Sequence, residues 1–231
     1  MYYSLVTGED TRQADLYIFG DITSWEWLDS DVSSTKILNE LADLDVDNIT
    51  VHINSYGGEV AEGLAIYNTL KTHKANITTV CDGFACSIAS VIFMAGDKRI
   101  MSNSSMLMIH NAWTYTQGNA EELRKTAEDL DKISSASINA YLEHINIEEA
   151  ELKALLDEES WLTPTEALDM GFATEIRSEG NSNYANQSAK KLIMDKIKQA
   201  NKSVEPIEPK EPIEEPTNEP KEDDFLEFFK M

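Results

Sequence analysis

Three short segments of this sequence carry groups that could act together on the carbonyl carbon of a substrate. Ser87 follows a run of small residues that begins at Gly83, and it precedes a predicted apolar helix. Gly57 and Gly58 can offer bare backbone N–H groups, and His110 ends a hydrophobic strand. A nucleophile, an oxyanion-binding amide and a general base are the parts that a serine hydrolase needs. The three segments together predict a serine peptidase.

Ser87 is the predicted nucleophile. The small residues Gly83 and Ala85 permit a tight turn from strand to helix, and a helix N-terminus favours developing negative charge through its dipole and its unpaired amides. The amide of Ile88 is therefore one expected oxyanion donor. Two other interpretations stay open. A serine at this position is ordinarily an N-cap residue, and the adjacent Cys86 could itself be the nucleophile, although its apolar neighbours are typical of a packed thiol.

The glycine pair supplies the second expected oxyanion donor, the N–H group of Gly58. The pair follows the strand-like run 50–54 and precedes a predicted helix. Glycines at such a place allow backbone angles that other residues do not reach, and they let a substrate carbonyl approach closely. A turn that merely starts the helix needs glycine in the same way, so this second interpretation also stays open.

His110 is the predicted general base. It directly follows the apolar strand 106–109 at the point where the chain opens into a loop, and parallel sheets place functional side chains there. Imidazole is the usual base because its pKa lies near the working pH. Of the other histidines, His73 and His144 are expected to be solvated and His52 to be structural. A structural role for His110 itself is the alternative.

Three successive carboxylates, Asp157, Glu158 and Glu159, are candidates for the acid that orients the imidazole. Such an acid fixes the tautomer of the ring and stabilises the imidazolium that forms during the reaction. The pattern does not choose among the three residues, and a solvated acidic helix end explains it as well.

The elements that must position these groups alternate along the chain. Apolar runs predict short buried strands at residues 16–19, 49–53, 77–81, 106–109 and 172–176. Helical periodicity predicts helices at residues 33–44, 60–73, 87–95, 120–147 and 165–170. Strands interleaved with helices indicate an α/β fold with a mostly parallel sheet. The helix at 120–147 is long for so small a domain, so we expect it to project and to pack its apolar stripe against another copy of the chain.

The composition limits the class of protein. The chain has 231 residues, 42% of them hydrophobic, and a net charge of −23, which argues against binding to nucleic acid or to an anionic membrane surface. The two cysteines, Cys81 and Cys86, indicate free thiols in a reducing cytosol rather than a disulfide framework. We predict no metal ion, no cofactor, no signal peptide and no membrane span, and therefore a soluble cytoplasmic protein.

The composition changes sharply towards the C-terminus. We predict a peptidase domain over residues 1–180, a short amphipathic helix or linker over 181–203, and a disordered acidic tail over 204–231. Five of the six prolines lie in this tail, interspersed with glutamate, and such a segment repels itself and buries little apolar area. The apolar patch at 225–229 is either a tethered docking peptide or a chain end without consequence.

Four short motifs follow one another along the chain: Ile53-Asn54-Ser55-Tyr56-Gly57-Gly58, Gly83-Phe84-Ala85-Cys86-Ser87, Met108-Ile109-His110-Asn111 and Trp161-Leu162-Thr163-Pro164-Thr165-Glu166-Ala167. In this order and spacing they resemble the proteolytic subunit of the caseinolytic Clp protease family, over residues 16–176. The resemblance implies an α/β fold of the type shared by ClpP-like and crotonase-type proteins. That fold is a spiral of β-β-α units, and the helix at 120–147 would be its projecting handle.

By position, the resemblance implies that Ser87 is the nucleophile and His110 the base, and that Gly58 and Ile88 supply the oxyanion amides. The acid of the family is an aspartate, and Glu159 stands at its position. The longer glutamate could leave the imidazole less well aligned, or the nearby Asp157 could take its role.

Two further departures concern the neighbourhood of the site. Tyr56 stands where the family has a proline, and Trp113-Thr114-Tyr115-Thr116 stands where the family has a glycine-rich stretch. That stretch carries strand-like substrate docking and ring–ring contacts in the family. The resemblance also implies protein or peptide substrates and a homo-oligomer, a heptameric ring that stacks on a second ring to enclose a chamber.

A shortened N-terminus, the segment 159–161 and the acidic tail are most similar to the branch of the family that matures phage heads. That branch implies cleavage of scaffold or capsid proteins, in the host cytoplasm if the chain is phage-encoded. The alternatives are a general Clp-type subunit that works with an ATP-dependent unfoldase, a catalytically inactive scaffold, and a crotonase-like acyl-CoA enzyme. The last of these would leave the pairing of Ser87 with His110 unexplained.

Overall fold

The structure is a computed structural model that describes residues 3–7, 12–25, 27–28 and 30–177. The strands in these ranges are β1 (Tyr3–Thr7), β2 (Gln13–Ile18), β3 (Asn48–Ser55), β4 (Asn76–Cys86), β5 (Lys98–Ser102), β6 (Met106–Ile109), β7 (Ser160–Leu162) and β8 (Glu175–Arg177). The helices are α1 (Ser34–Ala42), α2 (Val60–Thr72), α3 (Ile88–Phe93), α4 (Ala120–Leu142), α5 (Glu149–Asp157) and α6 (Pro164–Asp169). The chain divides into two units, Met1–Leu192 and Ile193–Met231, and every described residue belongs to the first.

The strands form one mixed sheet, in which β2 and β3 bury alternate residues, as Ile49, Val51 and Ile53 of β3 illustrate. The order is β1-β2-β3-β4-β5-β8, parallel from β2 onward. The long strand β4 forks: residues 78–81 pair with β5, whereas residues 84–86 pair with β6. β7 then pairs antiparallel with β6. The fork therefore brings the carboxyl ends of β4 and β6 side by side.

The mixed α/β fold with a mostly parallel sheet confirms the predicted fold class. The predicted strands at 16–19, 49–53, 77–81 and 106–109 lie in β2, β3, β4 and β6. The predicted helices at 33–44, 60–73, 87–95 and 165–170 correspond to α1, α2, α3 and α6. The pattern missed β1, β5, β7 and α5, each of which is short or lacks a continuous apolar run.

Two predicted boundaries are wrong because tertiary contacts override the apolar pattern. The strand predicted at 172–176 begins only at Glu175, since Phe172 and Ala173 lie in a buried turn in which the Ala173 N–H donates to the carbonyl of Ala167 at 3.0 Å. The helix predicted at 120–147 ends at Leu142. Beyond it, the Asn146 N–H donates to the carbonyl of Met170 at 2.9 Å, which turns the chain toward α6.

Helix α4 has two halves that differ in burial. It starts at an asparagine–glutamate capping box and its first half faces solvent, with Leu123 at 42% exposure; just past the midpoint, Ile133 is still 41% exposed. In the second half, Ile138 and Tyr141 are buried in the core. The first half therefore extends from the body as a handle, while the second half anchors it.

Among the residues that the structure describes, one hydrophobic core combines buried residues of the sheet with those of α1, α2, α3 and α4. Within the described ranges, no helix is both long enough and apolar enough to cross a membrane. The predicted linker at 181–203 and the acidic tail at 204–231 lie outside the described residues.

Candidate active site

Ser87 lies at the junction of β4 and α3, and its backbone is strained. Its φ of 54° and ψ of −129° lie in a region of backbone conformation that residues other than glycine rarely adopt. The Ser87 N–H donates to the carbonyl of Met108 in β6 at 2.8 Å. Although Ser87 is the N-cap residue of α3, its side chain forms no capping hydrogen bond. The simple capping role that the sequence left open is therefore wrong.

The Ser87 hydroxyl instead meets the ring of His110. Nε2 of His110 lies 2.7 Å from Oγ of Ser87, so two residues 23 positions apart are in hydrogen-bond contact. The contact follows from the fork in β4. Cys86 of β4 pairs with Met108 of β6, and because the two strands are parallel, both lead past the same edge of the sheet, β4 to Ser87 and β6 to His110. When Nε2 accepts the hydroxyl proton, the ring proton is on Nδ1.

Burial of the imidazole sets its charge. The His110 side chain is only 9% exposed, and this burial lowers its pKa below the ordinary value of 6.5, while the negative charge of Glu159 partly opposes the shift. The ring is therefore neutral at neutral pH. A neutral ring has a free lone pair on Nε2, which is the form that a general base requires.

Glu159 is the acid that the structure places beside His110. Its Oε1 lies 4.0 Å from Nδ1 of His110, because Ser160 pairs with Ile109 in the ladder of β7 and β6. Glu159 has a φ of 51° just after α5, where glycine is the usual residue. By contrast, the Asp157 carboxylate accepts a hydrogen bond from Nδ2 of Asn111 at 2.7 Å. Glu158 is the C-cap residue of α5.

The glycine pair lies directly against the serine. A Cβ atom placed on Gly57 would lie 2.8 Å from Cβ of Ser87, and one placed on Gly58 would lie 2.0 Å from the carbonyl oxygen of Ile22. Both glycines have positive φ, 97° and 150°. Ile88 is the first residue of α3, so its N–H has no partner four residues back in the helix. Gly57 thus lies against Ser87, Gly58 and Ile88 line the same cleft as the serine, and only glycine fits at positions 57 and 58.

These groups open into a cleft of about 670 Å³. Ser87, His110, Gly58 and Ile88 all line it. The remaining lining residues include Ile22, Thr23, Tyr56, Val60, Val91, Met108, Trp113 and Tyr141. Asp21, Glu59, Asn111 and Ser137 also line the cleft, so its wall is mostly apolar with polar groups interspersed, and it suits an extended chain with largely apolar side chains. Two of these lining residues were not predicted as part of the site: Tyr141 of α4, and Ile22, which lies between β2 and α1.

Other sequence candidates take structural roles. Burial raises the pKa of the Cys86 thiol to about 12, so the thiolate needed for attack does not form at neutral pH and the cysteine alternative is wrong. Both cysteines are free thiols, as expected. His52 Nδ1 lies 2.6 Å from Asp82, which fits its predicted structural role. The solvated position predicted for His144 is wrong, because its Nε2 is buried and finds no hydrogen-bond partner.

Among the described residues, no group of three or more His, Cys, Asp or Glu side chains could hold a metal ion. What the site does offer is a hydroxyl, a neutral imidazole and two backbone amides that line one mostly apolar cleft. That set can attack a carbonyl and hold the resulting oxyanion.

Comparison with known proteins places this geometry in context. The model of the family described as Clp protease matches residues 23–180. A protein named ATP-dependent Clp protease proteolytic subunit from Deinococcus radiodurans is 33% identical over 156 residues, which cover 65% of this chain and 76% of that protein. Proteins of the same name from Bacteroides fragilis and Bacteroides thetaiotaomicron are 33% and 32% identical over 131 residues, which cover 56% of this chain and 63% and 60% of those proteins.

Proposed function

We propose that this chain, which belongs to the Clp protease family, is a serine peptidase with Ser87 as nucleophile and His110 as general base. The observation that carries the proposal is the 2.7 Å contact between Oγ of Ser87 and Nε2 of His110. The Ser87 hydroxyl is at the N-cap position and could have formed a capping hydrogen bond with the backbone of α3, but it forms none. The strained backbone at Ser87 supports the proposal further, since strain of this kind persists where function needs it.

The reaction would run in two halves. Oγ of Ser87 bonds to the carbonyl carbon of the substrate peptide while its proton passes to Nε2 of His110. The N–H groups of Gly58 and Ile88 hold the oxyanion. When the C–N bond breaks, the imidazolium gives its proton to the leaving amine and an acyl ester on Ser87 remains. Water then attacks this ester and gives one proton to His110, which passes it to Oγ of Ser87 as the ester C–O bond breaks; the product leaves as a carboxylic acid, which loses its proton to solvent.

We assign Glu159 as the acid that stabilises the imidazolium. Its support is the 4.0 Å separation from Nδ1 of His110, which is long for a hydrogen bond and short enough for charge attraction. Asp157 is not the assigned acid, because its carboxylate is engaged by Asn111. The negative charge of Glu159 acts electrostatically on the imidazole of His110, whose position burial already fixes.

Fluorophosphonate labelling, read by mass spectrometry of the intact protein, tests the proposal. Wild type should gain one phosphonyl group and hydrolyse short apolar peptides. Ser87→Ala should do neither, while Ser135→Ala, a serine exposed on the handle helix, should behave as wild type. Unchanged turnover in Ser87→Ala would overturn the assignment. A wild-type protein that folds and is never labelled would instead favour the inactive scaffold or the crotonase-like enzyme.

We further propose that the chain acts as a homo-oligomeric ring, a heptamer that can stack on a second ring. The support is the family membership and the exposed apolar residues Leu123 and Ile133 of α4. Native mass spectrometry of the full chain tests this proposal, since it reports the number of subunits directly.

For the substrates, we propose scaffold or capsid proteins of a phage head. This proposal rests on the resemblance of the segment 159–161 and of the acidic tail to that branch of the family. Its rival is a subunit that works with an ATP-dependent unfoldase, and the names of the relatives support it. Cleavage of a folded protein only when an unfoldase and ATP are added favours the rival, whereas cleavage of phage scaffold protein by the chain alone favours head maturation.

A further inference from the structure

The backbone of Ser87 is held from both sides by hydrogen bonds. On one side its N–H donates to the carbonyl of Met108 at 2.8 Å. On the other side its carbonyl accepts two bonds from one residue, Ser90: the N–H at 2.9 Å and the Oγ hydroxyl at 2.5 Å. A strained conformation persists only when its surroundings over-determine it. Ser90 is therefore part of what keeps Ser87 in its unusual geometry.

Ser90 is in turn joined to the handle helix. Its Oγ lies 2.7 Å from the phenol oxygen of Tyr141, in the buried half of α4. A serine hydroxyl has one proton, and Ser90 donates it to the carbonyl of Ser87. Tyr141 must therefore be the donor to Ser90. The hydrogen bonds run in one direction, from Tyr141 to Ser90 to Ser87.

Burial keeps this chain of hydrogen bonds intact over the working pH range. Tyr141 is 1% exposed, and its burial raises the pKa of the phenol well above the ordinary value of 10.0. The phenol therefore keeps its proton and remains a donor. Its ring also packs edge-on against Phe172, with ring centres 5.7 Å apart, so the hydroxyl has a fixed position.

We propose that Ser90 and Tyr141 are positioning residues for the reaction, which together hold the Ser87 carbonyl and thereby aim its Oγ at His110. The inference rests on the proposed function, in which Ser87 is the nucleophile. Neither residue touches the reacting atoms. Loss of the two hydroxyls changes the rate of chemistry rather than the binding of substrate, because Ser90 does not line the cleft and the Tyr141 ring, which does, is kept in phenylalanine.

Tyr141→Phe is the direct test, and the chain offers a matched control. Tyr67 is also buried, and its phenol donates to Glu143, the residue just beyond the end of α4, at 3.2 Å. Tyr67→Phe therefore deletes a comparable buried hydroxyl that has no link to Ser90. We expect Tyr141→Phe to lower kcat for a short peptide roughly tenfold with KM changed less than about twofold, and Tyr67→Phe to leave both near wild type. Equal kcat in the two variants would overturn the inference.

Ser90→Ala gives a second test, but it leaves the Tyr141 hydroxyl buried without an acceptor, so it can also weaken folding. The double variant Ser90→Ala/Tyr141→Phe removes both hydroxyls and leaves no unpaired group. If the pair acts as one unit, the double variant loses no more kcat than Ser90→Ala alone. Additive losses would show two unrelated effects and contradict the inference.

A readout independent of activity separates this inference from the proposed function. The ¹⁵N resonance of Nε2 in His110 reports its hydrogen bond with Ser87 whether or not the protein cleaves peptides. We expect this resonance to move in Tyr141→Phe and to stay in place in Tyr67→Phe. If wild type proves inactive yet the resonance moves, the positioning stands and the peptidase assignment fails. An unmoved resonance in Tyr141→Phe overturns the positioning itself.

Discussion

The carboxylate of Glu159 lies 4.0 Å from Nδ1 of His110, and 74% of its side chain is exposed to solvent. A triad acid that is buried and directly hydrogen-bonded fixes the ring and supplies a large part of the rate. Glu159 meets water on most sides, so solvent screens its charge. The His110 ring is buried independently of it, which means that the acid in this site contributes charge more than alignment.

Glu159→Gln should therefore reduce kcat less than the loss of a buried triad acid does. We expect kcat to fall about tenfold, far short of the roughly 10⁴-fold loss known for a buried aspartate. Peptide hydrolysis at pH 8 measures the effect, and Glu158→Gln, one residue earlier at the C-cap of α5, serves as the matched control. A loss as large as that of Ser87→Ala would show that Glu159 moves into direct contact with His110 during the reaction.

The pH dependence of labelling should reflect the buried position of His110. Its pKa is lowered from 6.5, so the neutral ring persists to more acidic pH and the acid limb of the fluorophosphonate rate should have its midpoint below 6.5. Glu159 raises this pKa, so Glu159→Gln should move the limb to still lower pH. A limb that does not move, or that moves to higher pH, would contradict the electrostatic role of Glu159.

The same shift affects stability. His110 binds its proton less readily in the native state than in the unfolded chain. The contribution of its neutral ring to the free energy of unfolding is therefore fully present above about pH 6.5, and it is lost as the pH falls through the lower native pKa. Urea unfolding of wild type and His110→Asn at pH 7.5 and pH 5 measures it. The difference in the free energy of unfolding between wild type and His110→Asn should be smaller at pH 5 than at pH 7.5. A larger difference at pH 5 would show that the pKa of His110 is not lowered in the native state.

Much of the site could be predicted from sequence because two strand ends carry it. Ser87 and His110 each follow an apolar strand, and the carboxyl ends of parallel neighbours meet at one sheet edge. The residue pattern alone did not choose among the three carboxylates; the family resemblance put Glu159 at the acid position but left Asp157 open. The geometry that separates them depends on α5, which the pattern missed, and on a left-handed residue after it. Ser90 and Tyr141 were also missed, because they lie 51 positions apart and resemble ordinary core residues of two helices.

The oxyanion amides can be tested through the glycine pair. In Gly58→Ala, the new Cβ would overlap the carbonyl oxygen of Ile22, and that backbone cannot easily move because its bonds to Gly57 and Glu59 are 2.9 and 2.8 Å long. We expect a loss of about 3 kcal/mol in the free energy of unfolding, together with slow labelling.

Gly118→Ala is the matched control for that substitution. Its Cβ would meet the end of the flexible Glu122 side chain rather than backbone, so we expect it to cost about 1 kcal/mol or less. Urea unfolding compares the two variants. Equal stability and equal labelling would show that the backbone near Gly58 is free to relax, and would remove the geometric support for its amide as an oxyanion donor.

The strain at Ser87 predicts that function and stability conflict at this position. Ser87→Gly and Ser87→Ala both delete the hydroxyl, but only glycine adopts a φ of 54° with a ψ of −129° without cost. Glycine relieves the backbone strain, which stabilises the native state, but it also gives the unfolded chain more conformational freedom, which offsets part of this gain. We expect the net effect to make Ser87→Gly more stable than Ser87→Ala by about 1 kcal/mol. Thermal unfolding of the two inactive variants measures the difference, and a less stable glycine variant would disprove stored strain.

The exposed half of the handle should carry contacts between subunits. Leu123 and Ile133 place apolar side chains in solvent on a helix held at its other end by the core, and burying them against another copy would remove that exposure. Leu123→Glu/Ile133→Glu should reduce the mass of the oligomer while the far-UV spectrum of the subunit stays unchanged. Leu168→Glu, on α6 and 37% exposed, is the matched control and should leave the mass as in wild type. If the double variant assembles normally, the apolar residues of the handle are not an assembly surface, and the ring must form through other faces of the chain.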